Sequence, residues 1–297
     1  MFAPPAAVEP HQPGYPIRFQ HLANPPPRLY VRGGVPEGPA VAVVGSRAAD
    51  RPGQAWAGKV AGQLARAGVT VVSGGALGID QAAHLGALEG GGATVMVVAC
   101  GIDYDYPRGS QVLRERVAEA GALLSVYPPG TPPRPQQFRV RNRLLVALAE
   151  VVVVVQGGDR SGAMSIAAEA RAQGRPVLAV PGPPGGPLSK GPHQLLRDGA
   201  LLAEDVDDVL KALGVGPESS PGRDQHGPRC CMSPAMADVL RWLDQGPASA
   251  DELARGLGQR VGEIRATLVE LEVGGLVTSH GGWYERACEG PWPSLRP

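Results

Sequence analysis

The chain has 297 residues, 43% of them hydrophobic, and its 28 Lys and Arg are balanced by 28 Asp and Glu. That length suits one large domain plus a small one, and zero net charge excludes a globally basic nucleic-acid binder or membrane-surface protein, so any electrostatic recognition must be local. The charges are unevenly spread: residues 1–215 carry 20 Lys and Arg against 17 Asp and Glu, whereas residues 233–290 carry 5 against 9.

Residues 1–38 are Pro-rich, weakly periodic and without the apolar core of a signal peptide; they read as an extension that packs on the domain after them. A regular pattern follows. Short apolar strands are expected at 41–44, 69–72, 94–99, 123–126, 151–155 and 177–180, with helices from 47 to about 67, at 81–88, at about 110–119 and at 205–213. Continuous apolar strands alternating with helices predict an α/β fold, a Rossmann-like, doubly wound parallel sheet over residues 39–215. Residues 216–232 are Gly, Pro, Ser and charge without periodicity, a linker. Beyond it, over 233–290, helices at 234–243, 251–256 and 261–273, a capping box at Ser249 to Glu252 and a hairpin around Gly281-Gly282 describe a small winged-helix domain. The apolar run 144–155 is too short to span a bilayer and is broken by Glu150, so no membrane association is expected. Cys100, Cys230, Cys231 and Cys288 lack paired metal-ligand spacing and read as reduced thiols of a cytoplasmic protein.

In an open parallel sheet, ligands bind at the carboxyl ends of the strands. Three glycine-bearing turns fall there: Gly45-Ser46-Arg47, Ser73-Gly74-Gly75 and the loop 156–162, which ends in Ser161-Gly162. Glycine lets backbone amides approach an anion, and the hydroxyls and arginines add donors and charge, although strand-to-helix turns need small residues for packing alone. No Gly-x-Gly-x-x-Gly follows the first strand and no P-loop is present, which disfavours dinucleotide and NTP binding. Asp80 and His84, four apart on a helix, read as a cap and a packed core residue, and Asp103 and Asp105 as solvated loop acids. No catalytic constellation, metal-ligand set or cofactor is expected.

The most sharply built segment is 134–143, Arg-Pro-Gln-Gln-Phe-Arg-Val-Arg-Asn-Arg. It is expected in the loop after the fourth strand, with Asn142 and Arg143 entering the next helix. On charge alone it suits a solvated surface turn as well as a phosphate clamp. Placed beside the three glycine turns, its arginine forks and lone Phe138 describe a groove for single-stranded nucleic acid, phosphates held by guanidinium groups and a base stacked on the ring.

At this point an ordered set of motifs resembles the DprA/Smf family of bacterial DNA-processing proteins. It comprises Tyr15-Pro16, Asn24-Pro25-Pro26, Leu29-Tyr30-Val31-Arg32-Gly33, Gly45-Ser46-Arg47, the run from Ser73 to Asp80 with Ala83-His84, and Gly101-Ile102-Asp103 with Tyr106-Pro107. It continues with Phe138, Arg141-Asn142-Arg143, Ser161-Gly162-Ala163, Val180-Pro181-Gly182 and Gly199-Ala200. The resemblance implies sequence-independent binding of single-stranded DNA, loading of the RecA recombinase onto it in natural transformation and DNA repair, and a homodimer. It implies DNA contacts at Gly45, Ser46, Arg47, Ser73, Gly74, Phe138, Arg141, Asn142, Arg143, Ser161 and Gly162, with Arg134 standing for the basic residue expected ahead of the Phe. Where relatives have Ser-Glu-x-Pro and a strand-closing Glu, this chain has Ser125-Val126-Tyr127-Pro128 and Gln156. The missing acids count against the alternative, a Rossmann-like nucleotide hydrolase working in the same crevice. The winged-helix module is acidic, and its helix 261–273 sets Arg265 against Glu263, Glu270 and Glu272. It is expected to dock protein or regulate rather than to hold phosphates.

Overall fold

The structure, a computed structural model, describes residues 6–215, 234–244, 246–273 and 276–286. The expected linker at 216–232 and Cys230, Cys231 and Cys288 lie outside the described residues. The chain divides into two compact units, Met1–Pro221 and Gly222–Pro297.

The first unit opens with β1 (Ala6–Val8) and β2 (Leu29–Gly33), then alternates β3 (Ala40–Val44), α1 (Arg51–Arg66), β4 (Thr70–Ser73), α2 (Ile79–Glu89), β5 (Thr94–Val97) and α3 (Gln111–Ala120). It continues through β6 (Ala122–Ser125), α4 (Gln137–Leu148), β7 (Val151–Val154), α5 (Gly162–Ala172), β8 (Val177–Ala179), α6 (Lys190–Arg197), β9 (Leu201–Leu202) and α7 (Val206–Leu213). The strands form one sheet in the order β1-β2-β6-β5-β4-β3-β7-β8-β9, parallel from β6 to β9. From β3 the chain winds one way to β6 and then returns to build outward from β7. The switch point therefore lies between β3 and β7, where a crevice opens at the carboxyl ends of the strands.

Alternate residues of each strand face two separate cores. Ala42, Val44, Val72, Val152 and Val154 pack with α4 and α5, whereas Val41, Val43, Val71, Val151 and Val153 pack with α1 and α2. Burial on both faces is why these strands read as unbroken apolar runs.

Residues 6–33 do more than pack on the domain. Leu29-Tyr30-Val31 alternates buried and half-exposed, and β2 pairs antiparallel with β6 while β1 pairs with β2. The segment between them is anchored by fully buried Phe19 and by the Tyr15 hydroxyl donating to Pro26 O at 2.8 Å. The helix predicted to begin near Asn142 instead begins at Gln137, because the Gln137 side chain accepts from Arg134 N and its own N–H donates to Arg134 O at 3.0 Å. These bonds satisfy groups that a helix start would otherwise leave open.

The second unit comprises α8 (Pro234–Leu243), β10 (Ala248–Ser249), α9 (Ala250–Leu257), α10 (Val261–Val273), β11 (Val277–His280) and β12 (Trp283–Arg286). It is a winged helix whose wing is a three-stranded sheet in the order β10-β12-β11. Its core joins Val239, Leu243, Leu253, Ile264, Leu268 and Val277, and the capping box at Ser249 and Glu252 opens α9.

Candidate functional site

The crevice is lined by the turn after β3, the turn after β4 and the first two turns of α4. At Gly45 a Cβ would fall 2.5 Å from Ile79 Cγ1 and 3.1 Å from Gln156 O, so only glycine lets α2 pack beneath this turn. Ser46 Oγ accepts from Ala48 N at 3.1 Å, and Arg47 reaches out exposed. Ser73 does not present its hydroxyl to the crevice as expected. It is fully buried and donates to Val43 O at 2.7 Å, a bond that ties β4 to β3.

On α4, Phe138, Arg141, Asn142 and Leu145 recur at helical spacing and face the sheet, while Arg139 and Val140 face solvent. Two guanidinium groups lie over the Phe138 ring, Arg47 Cζ at 5.1 Å and Arg141 Cζ at 5.6 Å from its centroid, and the Tyr106 ring makes a T-shaped contact with it at 6.1 Å. Arg141 is 5% exposed and lies flat against Gly74, where a Cβ would fall 1.3 Å from its Nη1. Glycine at 74 thus makes room for the guanidinium.

Arg141 Nη1 stands 3.9 Å from Asp80 Oδ2, an ion pair between two buried side chains and too long for a hydrogen bond. Burial pushes the Asp80 carboxyl pKa up, against the opposing pull of Arg141 and the backbone N–H groups of Ala76, Gly74 and Gly45. Burial likewise lowers the Arg141 pKa, Asp80 opposing and Arg47 reinforcing. His84 is fully buried beneath them. Its Nδ1 meets Thr94 Oγ1 at 2.8 Å, and Thr94 spends its own proton on Val71 O at 2.7 Å, so Nδ1 carries the imidazole hydrogen. Desolvation first, and Arg141 second, drop its pKa to about 3.

Among the described residues, Arg141 Nε and Nη1, Asn142 Oδ1 and Ser161 Oγ are buried with no hydrogen-bond partner. Buried polar groups seldom go unmatched, and two open donors on one buried guanidinium suit the oxygens of a phosphate. Ser161 is the N-cap residue of α5 and Gly162, its first residue, is exposed, so the start of that helix borders the crevice on the β7 side.

The predicted residues therefore separate. Gly45, Arg47, Gly74, Phe138 and Arg141 converge on one spot. Arg134 is exposed ahead of α4, engaged through its backbone at the helix start, and Arg143, two residues past Arg141, turns to the other side of the helix where its carbonyl accepts from Gln173 Nε2 at 3.0 Å. Tyr106 and Asp80 join the site beyond the predicted set. Tyr106-Pro107 and Asp80 both stood in the motif set, but nothing in the spacing aimed them at Phe138 and Arg141. Asp103 and Asp105 are not simply solvated: Asp103 accepts from Gly130 N, and Asp105 from Gly109 N and Ser110 N.

The model of the DNA recombination-mediator protein A family matches residues 6–214, and the DprA winged helix domain matches residues 228–282. The chain is 44% identical over 249 residues to a Mycobacterium tuberculosis protein named for DNA processing (DprA), an alignment over 82% of this chain. It covers 63% of that relative's length. The crystal structure of DNA processing protein A from Streptococcus pneumoniae superposes with a TM-score of 0.65 at 34% identity, over 71% of this chain and 75% of the other. A solved structure of DNA processing protein A from Helicobacter pylori, described as giving insights into the single-stranded DNA binding mode of that protein, gives a TM-score of 0.63 at 31% identity over 70% of this chain and 95% of the other.

Proposed function

Because the chain belongs to the DprA/Smf family of DNA-processing proteins, we propose that it binds single-stranded DNA without regard to sequence in the crevice between β3 and β7. The observation that carries this reading is the Phe138 ring with Arg47 and Arg141 gathered over it, the latter buried with two open donors beside Gly74. Guanidinium groups hold phosphates whatever the base, and every base has a face to lay on an aromatic ring. A backbone held this way suits a mediator that loads the RecA recombinase onto incoming strands during natural transformation and DNA repair, working as a homodimer in the cytoplasm.

DNA binding is favoured over bond cleavage by the state of the nearby carboxylates. Asp80 faces Arg141, and Asp50 accepts from Gly53 N at 2.8 Å and from Gln156 Nε2 at 2.7 Å. Asp80 is thus buried against a cation and Asp50 is committed through Oδ1 to the helix start, and the two are not paired with each other as an acid and a base.

The test is a salt-titrated comparison of single-stranded, double-stranded and mononucleotide ligands with the parent and Arg47→Ala proteins. Single strands should bind most tightly, with a salt slope that shrinks by about 0.7 in Arg47→Ala, the share of one phosphate contact on a single strand. Equal affinity for duplex and single strand, or an unchanged slope, refutes the reading. Release of a hydrolysis product from any mononucleotide above background would replace it with the nucleotide-hydrolase alternative.

A further inference from the structure

A second cavity lies on the far side of the loop that carries Tyr106. It has a volume of about 270 Å³, is bounded by α3, β2 and the loop after β5, and is lined by Arg32, Arg114, Asp103, Asp105, Gln111 and Glu115. Arg32 pairs across the strands with Leu123, which sits in the core that α3 covers, so the arginine shares that face of the sheet. Arg114 is 5% exposed and fixed in the cavity wall, its Nη2 donating to Ile102 O at 2.7 Å. Burial above all holds the Arg114 pKa low, with Arg32 adding to the effect while Cys100 and Asp105 oppose it.

Arg32 Nε is buried with no hydrogen-bond partner among the described residues. Asp103 lines the same cavity, and both its oxygens share the single N–H of Gly130, at 2.8 and 3.0 Å, which leaves most of the carboxylate's accepting capacity open. The cavity, open to solvent on one side, therefore offers a guanidinium donor and a carboxylate acceptor in one lining.

This mixed lining selects its ligand. A free phosphate would meet Asp103, Asp105 and Glu115, and a cation would meet Arg32 and Arg114, so each is repelled by part of the wall. A neutral planar ligand with acceptors on one edge and donors on the next satisfies both. Among nucleobases guanine does this best: O6 and N7 accept together from a guanidinium fork, and N1–H and N2–H donate together to a carboxylate. Adenine and thymine cannot give a fork two neighbouring acceptors on the major-groove edge, and cytosine has a single amino donor.

We propose that this cavity binds a guanine ring, from a free guanine nucleotide or from a DNA strand. The strand-borne source rests on the proposed single-stranded DNA binding, since one loop separates the cavity from Phe138. The free nucleotide does not.

The full chain would be titrated calorimetrically with GMP and AMP, and by fluorescence anisotropy with oligo-dT and with oligo-dT carrying one guanine. GMP should bind roughly tenfold or more tightly than AMP, the discrimination that one bidentate base contact supplies. Arg32→Gln should erase that preference and leave oligo-dT affinity unchanged, whereas Arg47→Ala should weaken oligo-dT and leave GMP unchanged. Should Arg32→Gln fail to fold by circular dichroism, Asp103→Asn, a loop substitution that weakens the acceptor, should erase the preference instead. A gain for the guanine-bearing oligonucleotide assigns the strand as source; a preference confined to GMP assigns the free nucleotide. GMP and AMP binding alike, neither binding, or a preference surviving in a folded Arg32→Gln protein overturns the proposal and leaves a structural ion-pair cluster. Loss of oligo-dT binding in the parent protein would sink the strand reading while the GMP comparison still stood.

Discussion

Removing the Phe138 ring separates stacking from charge. With Arg47 and Arg141 both over the ring and Tyr106 in T-shaped contact with it, a base that stacks there competes with a guanidinium already in place. Arg141 is wedged against Gly74 beside Asp80, whereas Arg47 is exposed, so Arg47 is the group that yields. Giving up an exposed cation–π contact costs about 0.5–1 kcal/mol, and a stacked base returns about 1–3 kcal/mol. The ring is therefore worth about 1.3 kcal/mol net at mid-range, within limits of about 0 and 2.5 kcal/mol, a loss of roughly tenfold in affinity for Phe138→Ala. Fluorescence anisotropy with labelled oligo-dT over a salt series measures it. Arg47→Ala should lower the salt slope because a phosphate contact disappears, while Phe138→Ala should weaken binding at every salt concentration and leave the slope alone. A Phe138→Ala protein that binds like its parent, or that loses slope as Arg47→Ala does, refutes the stacking geometry.

Gly74→Ala places a Cβ where Arg141 Nη1 lies and should expel the guanidinium; oligo-dT affinity should fall about tenfold or more, the worth of a charge-assisted hydrogen bond, with the circular dichroism unchanged. A variant of parental affinity would remove Arg141 from the interface. His84 titrates near 3 in the folded protein against a reference of 6.5, so below pH 6.5 the unfolded chain takes up a proton that the folded one refuses. Its contribution is complete well above pH 6.5 and lost as pH falls through 6.5 toward 3, by up to about 1.4 kcal/mol per unit. Urea titrations should show about 2 kcal/mol lost from this group between pH 8 and 5, and His84→Gln should flatten that limb; parallel limbs would contradict the burial argument. Deleting residues 233–297 should leave oligo-dT affinity at constant salt within about twofold, because α10 sets Glu263, Glu270 and Glu272 against Arg265 and offers little to phosphates; a large loss would give the winged helix a share of the DNA.

The parallel sheet was legible because burial on both faces of β3, β4 and β7 leaves runs of valine that only one architecture explains. The edge strands were not. Leu29-Tyr30-Val31-Arg32-Gly33 does alternate, but prolines crowd it and its partner, β6, lies some ninety residues on along the chain, a pairing that no local pattern reveals. The site divides the same way. Gly45, Arg47, Phe138 and Arg141 announce themselves by residue type at strand ends and on one helix. Ser73 shows the converse: a hydroxyl in a glycine turn looks like an anion donor until the neighbouring strand offers Val43 O. Asp80 facing Arg141 depends on two helices meeting over Gly74, and spacing along the chain carries no record of that.

Gln156 shows how the rim of the crevice is held. Its amide donates to Asp50 Oδ1 at 2.7 Å and accepts from Asp50 N at 3.2 Å, and it packs so closely on α1 that a Cβ at Gly53 would fall 2.4 Å from its Cδ. An amide can serve both bonds because it has both a donor and an acceptor. A glutamate in its place would set two carboxylates at that separation, and one of them would have to hold a proton, the arrangement that acid–base chemistry exploits. With glutamine the contact holds one carboxylate instead of two and clamps the end of β7 to the start of α1. No second carboxylate then stands beside Asp50 to share a proton with it, and Arg47 and Arg141 remain the cations gathered at Phe138.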